Sequence, residues 1–194
     1  MSDHLDDLQR IGVKLPLDLT ARATPDLEPL ITLFQGWIRS AALPGLLLDV
    51  ADYRHVPDGP GVMLVAHEGD WSLDLGAGGP GLQYVRKTPQ EGDLAGRIRL
   101  TLALAAQAAA MLPWPVRGDD FTVFANDRLR APNTSETKAT LAQAVLQAAG
   151  PEIVGDDVSL ELLQGDPRER ACVRVRGGDI ADAAALLERL NAAP

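Results

Sequence analysis

Residues 61–87, GVMLVAHEGDWSLDLGAGGPGLQYVRK, decide the fold. They hold three short runs in which large apolar residues recur at every second position, and the joints EGD and GAGGPG separate the runs. Alternation of this kind is typical of β-strands, and short turn-rich joints favour antiparallel neighbours. With a further extended run over residues 46–51, the stretch predicts a four-stranded antiparallel meander.

The alternation divides the side chains of the meander between two faces of the sheet. One face is almost purely apolar and is expected to lie against helices; it comprises Leu46, Leu48, Val50, Val62, Leu64, Ala66, Trp71, Leu73, Leu75, Leu82 and Tyr84. The other face is mixed and comprises Leu47, Asp49, Ala51, Met63, Val65, His67, Ser72, Asp74, Gln83, Val85 and Lys87. A mixed face of this kind suits a subunit interface or a ligand-binding groove, or else it lies open to solvent.

The chain outside the meander repeats one pattern of elements. Residues 18–28, DLTARATPDLE, align without a gap with residues 127–137, DRLRAPNTSET, and each stretch joins an extended segment to a helix. Each half then reads β-α-β-β-α, with an extra hairpin over residues 71–87 in the first half. The predicted fold is α+β, a mainly antiparallel sheet with helices on one face, built from two pseudo-repeated β-α-β-β-α units unless the two joints match by chance. The halves, residues 1–115 and 116–194, are expected to pack as one compact domain.

Two segments place limits on the packing. The first strand, over residues 11–17, contains Pro16, which lacks a backbone donor, so this strand is expected to lie at an edge or to end early. The helix predicted over residues 94–112 is apolar on all sides, because from Leu100 on only Thr101 and Gln107 are polar. Such a helix either fills the middle of the molecule or packs against a second chain, and a homodimer is therefore expected.

Composition narrows the classes of function. The 194-residue chain has a net charge of −9 and only 4% aromatic residues, which disfavours binding to nucleic acid. Its N-terminus does not resemble a signal peptide, and its longest weakly polar run is too short to span a bilayer. We therefore expect a cytoplasmic protein that does not bind membranes.

The single cysteine, Cys172, excludes an internal disulfide. It lies in a strand-like alternating stretch without a neighbouring histidine, which favours a buried structural thiol over a nucleophile. The densest group of basic residues surrounds it, and two interpretations of this group stay open: the solvated side of a strand or an anion-binding patch. The group consists of Arg168, Arg170, Arg174 and Arg176.

His67 leads the candidates for chemistry, because Glu68, Asp70 and Asp74 follow it closely. An imidazole near carboxylates suits a general base or a divalent metal ion. Candidate catalytic residues are His67, Glu68 and Asp74, and a metal site, though none is expected, would use His67, Asp49 and Asp74. The alternative is that His67 satisfies a neighbouring backbone group or Asp74 at the margin of the sheet.

A second polar group follows the predicted strand over residues 121–126. With two residues of the meander, it provides the candidate binding residues Asp49, His55, Asn126, Asp127 and Arg128. Asn and Asp at the end of a strand commonly form turns by accepting hydrogen bonds from their own backbone, so a structural role competes with a binding role here.

Several motifs resemble an uncharacterised bacterial protein family: VPDGPGV over residues 56–62, His67 with Glu68, NDRL over residues 126–129 and APNT over residues 131–134. The resemblance covers nearly the whole chain. That family has no known activity, substrate or cofactor, so the resemblance implies only that these loops deserve inspection first.

These patterns favour a binding or interaction protein that uses the mixed sheet face and needs no cofactor, with a protein or a small molecule as its ligand. The alternative is a metal-dependent hydrolase or lyase with a divalent metal ion at a His/Asp/Glu site around His67.

Overall fold

The computed structural model describes residues 5–19, 25–57, 59–76, 78–153, 155, 157–163 and 166–192. In this part of the chain eight strands and four helices follow one another. In chain order they are β1 (Ile11–Pro16), α1 (Glu28–Ser40), β2 (Leu47–Tyr53), β3 (Gly61–Ala66), β4 (Gly69–Asp74), β5 (Gly81–Arg86), α2 (Leu94–Ala109), β6 (Asp120–Ala125), α3 (Ser135–Ala149), β7 (Ser159–Leu162), β8 (Cys172–Arg176) and α4 (Ala183–Ala192).

Local chemistry explains where the central helices begin. The Asp93 carboxylate accepts a hydrogen bond from the backbone N–H of Gly96 and caps α2. The Thr134 hydroxyl accepts one from the N–H of Thr137 and caps α3. Gly150, whose positive φ of 69° suits a glycine, ends α3.

The strands form one antiparallel sheet in the order β2-β3-β4-β5-β1-β6-β8-β7. This arrangement confirms the α+β class. The prediction that Pro16 places its strand at an edge is wrong, because β1 lies in the middle, between β5 and β6. The second alternative, that the strand ends early, is the one observed: β1 ends at Pro16, and Leu17 lies outside it, where it forms an isolated bridge to Val116.

The apolar face of the meander is buried under the helices, as the alternation predicts for β3, β4 and β5. The buried side chains, each at most 1% exposed, are Val62, Leu64, Ala66, Trp71, Leu73, Leu82 and Tyr84. The indole N–H of Trp71 donates to the carbonyl of Leu104 in α2 at 3.1 Å, which fixes this face against the helix. Burying each large side chain contributes about 1.5–3 kcal/mol.

Strand β2 departs from the predicted alternation. The register of its pairing with β3 shifts between Leu47, which is opposite Ala66, and Asp49, which is opposite Val65. This bulge reverses the directions of the side chains before it, so Leu47 packs against the core while Leu46 and Leu48 are 59% and 52% exposed. The prediction that Leu46 and Leu48 face the helices is therefore wrong.

Helix α2 fills the middle of the molecule. It contacts β1 and β5 on one side and α3 and α4 on the others, and Ala105, Ala106 and Ala108 are fully buried. Because one chain covers most of this helix, its apolar character does not require a second chain. None of the helices in the described part of the chain has the length and apolar character needed to cross a bilayer.

Candidate functional site

The sheet face opposite the helices, here called the open face, is organised in rows that run across the strands. Paired residues of antiparallel strands point to the same side, so each row follows from the register. The central row consists of Ser72, Gln83, Lys14, Thr122 and Arg174. It joins strands from both halves of the chain, and these five residues are all polar, whereas the register continues the row to the apolar Met63 on β3.

A pocket of about 240 Å³ opens on this face around the central row. The residues lining it come from strands β1, β4, β5, β6 and β8 and from the adjoining loops. They are Lys14, Pro16, Asp74, Gly76, Gly78, Gln83, Asp120, Thr122, Phe124, Leu163, Arg170, Cys172 and Arg174. This region of the open face therefore offers a concave surface with both charged and apolar walls.

Lys14 crosses the sheet to form one wall of the pocket. Its ammonium group donates to the Asp74 carboxylate at 2.5 Å, and the Lys14 residue is only 9% exposed. The side chain runs over Gly81, where an added β-carbon would lie 3.0 Å from Lys14 Cε and 2.6 Å from the carbonyl oxygen of Leu15. A glycine at position 81 thus leaves room for the lysine to reach Asp74.

Arg174 and Asp120 form the opposite wall. The guanidinium donates through Nε and Nη2 to the two Asp120 carboxylate oxygens at 2.7 and 2.6 Å, a bidentate pair. The Asp120 side chain is 5% exposed, and Arg176 approaches the same carboxylate at 3.6 Å. The hydrogen bond to Asp120 raises the pKa of the Arg174 guanidinium, which stays charged at all physiological pH values.

Phe124 provides the apolar floor between these walls. Its ring lies against Gly12, and it is only 3% exposed although it belongs to the open face. The guanidinium of Arg170 covers the ring, with its central carbon 4.1 Å from the ring centroid. This stack places a cation at the mouth of the pocket.

The thiol of Cys172 also lines the pocket, and it is not activated. Burial raises the pKa of this thiol, and its S–H donates to the carbonyl of Arg170. A protonated thiol is a poor nucleophile, which agrees with the structural interpretation of this cysteine.

The three candidate metal ligands of the meander do not converge. Asp49 is exposed on β2 and accepts from the backbone N–H of Val50 at 2.8 Å, and Asp74 binds Lys14 at the end of β4. His67 is exposed in the turn after β3, where its backbone N–H donates to the Leu46 carbonyl at 2.9 Å. Among all described residues, no cluster of three or more His, Cys, Asp or Glu side chains could hold a metal ion.

The side chains of Glu68 and His55 each interact with a nearby residue. The Glu68 carboxylate accepts from the backbone N–H of Leu46 at 3.0 Å, and this bond holds the pKa of the carboxyl below its usual value. His55 is exposed in the loop after β2, where its ring stacks with Tyr53 at a centroid distance of 6.4 Å. Of the candidate catalytic, metal-binding and binding residues around His67 and Asn126, only Asp74 lines the pocket.

Asn126, Asp127 and Arg128 line a different and wider depression, together with Arg10, Leu129, Pro167 and Arg168. The Asp127 carboxylate accepts from the backbone N–H groups of Leu129 and Arg130 at 3.1 and 3.2 Å, so it builds the turn. The structural alternative for this aspartate, that it bonds its own backbone, is confirmed.

Sequence reasoning missed most of the pocket, because Lys14, Thr122 and Arg174 lie on strands whose neighbours are distant in the chain. Two signals were present. Lys14 is the only charged residue of the apolar run over residues 11–17, and the arginine-rich segment around Cys172 allowed an anion-binding interpretation.

Comparisons with protein-family models, with curated proteins and with solved structures found no match. The α+β class of the fold is shared by proteins of many functions, so only the chemistry of the pocket can support a function.

Proposed function

We propose that this protein is a non-enzymatic binding protein that holds a small ligand in the open-face pocket. One observation carries the proposal: polar side chains of the central row are shielded on a sheet face that the helices leave uncovered. Lys14 and Gln83 are each 9% exposed, and the ring of Phe124 is buried beside them. Convergent polar groups in a partly apolar concavity are typical of ligand sites.

The lining favours binding over catalysis. Its described residues include no histidine, and its thiol is protonated because burial raises the pKa of Cys172. Both carboxylates of the pocket, Asp74 and Asp120, are held in ion pairs with basic side chains. A hydrolase or lyase with a metal near His67 is not supported by any cluster of ligands in the described residues.

The test is a fragment screen by two-dimensional amide NMR on wild-type protein and on Thr122→Phe. The larger ring fills the centre of the pocket, so fragments that shift the amide signals of Gln83, Thr122 and Cys172 in the wild type should lose these effects. The control Ala139→Phe places the same ring on an exposed position of α3. Equal binding to Thr122→Phe and wild type would contradict the proposal.

We also infer that the two halves arose by duplication. The first strands, β1 and β6, each pair with the last strand of their own half, β5 and β8, and they pair with each other at the centre of the sheet. The order of elements is also the same in both halves once the hairpin of β2 and β3 is set aside, whereas the sequence pattern placed the extra hairpin at residues 71–87.

The expected homodimer stays a prediction, and the coverage of α2 within one chain removes its main support. The outer strand β2 remains a surface where a second copy could pair, because Leu48 within it and Leu46 just before it are exposed. Light scattering at micromolar concentration measures the oligomeric state, and a monomer would contradict the prediction.

A further inference from the structure

Among the described residues that line the pocket there is one more cation than carboxylate. Its basic residues are Lys14, Arg170 and Arg174, and its acids are Asp74 and Asp120. Asp74 pairs with Lys14, and Asp120 pairs with Arg174, so both acids are committed to other residues of the pocket. The excess positive charge is local, since the chain as a whole has a net charge of −9.

Arg170 accounts for this excess. Among the described residues, no carboxylate lies within ion-pair distance of its guanidinium, which packs against the face of the Phe124 ring. Stacking on an aromatic ring occupies the face of a guanidinium and leaves the N–H donors at its edge available for a planar carboxylate. Gly12 maintains this arrangement, because it allows the Phe124 ring to lie against the sheet.

The other residues that line the pocket suit the uncharged part of a ligand. Pro16, Phe124 and Leu163 provide apolar surface, and Gln83 and Thr122 provide neutral hydrogen-bonding groups. A volume of about 240 Å³ lies just below the usual range for ligand pockets, which limits the occupant to a small molecule.

We propose that the pocket binds a small organic acid, with one carboxylate at the edge of the Arg170 guanidinium and a short apolar body over Phe124, Pro16 and Leu163. This assignment rests on the proposed binding function and specifies its ligand class. A single unpaired cation matches one negative charge. A phosphate dianion would bring two charges to a site whose other two cations are already neutralised.

The probes that test the assignment are hexanoate and its neutral analogue hexanamide, which share an apolar chain and differ in charge. Binding is measured by calorimetry and by amide shifts at Thr122 and Phe124, at low ionic strength. Hexanoate should bind at least about tenfold more tightly than hexanamide, since a charged hydrogen-bonded pair is lost in the amide. Salt should weaken the binding of hexanoate, because Arg170 is exposed.

Two variants test whether Arg170 causes the preference for hexanoate over hexanamide. Arg170→Gln should weaken the binding of hexanoate about tenfold and leave that of hexanamide unchanged. The matched control is Arg168→Gln, which removes an arginine two residues away that lies outside this pocket and pairs with Asp166. Both variants are compared with the wild type in urea unfolding, so that a folding defect is recognised.

Three results would overturn the assignment. In the first, hexanamide binds as tightly as hexanoate at the pocket amides, which rejects the carboxylate and leaves the binding function standing. In the second, Arg168→Gln weakens binding as much as Arg170→Gln. In the third, neither probe binds at millimolar concentration, and the proposed binding function is then decided separately by the fragment screen with Thr122→Phe.

Discussion

The ring of Phe124 lies against the backbone of Gly12, so closely that a β-carbon at position 12 would be 2.1 Å from the Cζ atom of the ring. Real β-carbons do not approach other atoms to this distance, so either residue 12 is a glycine or the ring moves. The pair links β1 to β6, which are the strands that join the two halves of the chain.

Gly12→Ala is therefore expected to lower the free energy of unfolding by about 2 kcal/mol, the cost of overpacking a filled site. Urea unfolding measures the change. The control Gly36→Ala lies in α1, where the nearest atom to an added β-carbon is Arg39 Nη2 at 4.0 Å, and it should be neutral or stabilising. Similar losses in the two variants would show that the contact with Phe124 is not responsible.

The ion pair between Asp120 and Arg174 should contribute more than the pairs at the surface. Asp120→Asn leaves the Arg174 guanidinium, 20% exposed, without its bidentate partner, and an expected loss of about 2 kcal/mol follows. Adding Arg174→Gln should restore part of this loss, because the arginine closest to position 120 then no longer carries an uncompensated charge, while Arg176 still has Glu161 at 3.6 Å. Asp166→Asn breaks the exposed pair with Arg168 and should leave the free energy of unfolding nearly unchanged, because solvent screens this pair. A double-mutant cycle in urea without coupling between positions 120 and 174 would contradict this account.

Lowering the pH should remove the stabilisation that the neighbouring ion pair between Arg117 and Asp119 contributes. The Arg117 guanidinium, which binds both carboxylate oxygens, holds the pKa of Asp119 below its ordinary value of 3.8. The folded state thus favours the charged carboxylate, so the stabilisation is complete above the unfolded pKa and is lost as pH falls through the lowered folded pKa. Asp119→Asn should be destabilised relative to the wild type at neutral pH, and the difference should shrink towards about pH 2.5. Urea midpoints at both pH values test this, and a constant difference would argue against it.

Cys172 offers a chemical probe of the pocket. Because burial raises the pKa of its thiol, iodoacetamide at about pH 8 should modify the folded protein at least tenfold more slowly than the urea-unfolded chain. Mass spectrometry gives the rate at a single site, since the chain has one cysteine. The folded rate should rise as pH increases towards the raised pKa. Equal rates in folded and unfolded protein would show that the thiol is not shielded.

The predictable part of the fold depended on local patterns. Alternation in residues 61–87 predicted the buried face of β3, β4 and β5, because each side chain's direction follows from its neighbours in the chain. It did not predict that β1 lies between β5 and β6, since strand order depends on packing between distant segments. Most of the pocket follows from that order: the pairing of Lys14 with Gln83 and Thr122 is visible only in the assembled sheet. Asp74 was predicted because it belongs to the meander itself.

The bulge in β2 is the remaining departure from the sequence pattern, and two substitutions distinguish it from regular alternation. In the structure Leu47 packs against the core and Leu48 is 52% exposed, whereas unbroken alternation would place Leu48 inside. Leu47→Asp should therefore cost about 2 kcal/mol, because it brings a carboxylate against apolar side chains, and Leu48→Asp should cost under about 1 kcal/mol. Urea unfolding of the two variants measures the contrast. If Leu48→Asp is the more damaging change, the side chains before the bulge have the opposite directions, and Leu48 instead of Leu47 contacts the helices.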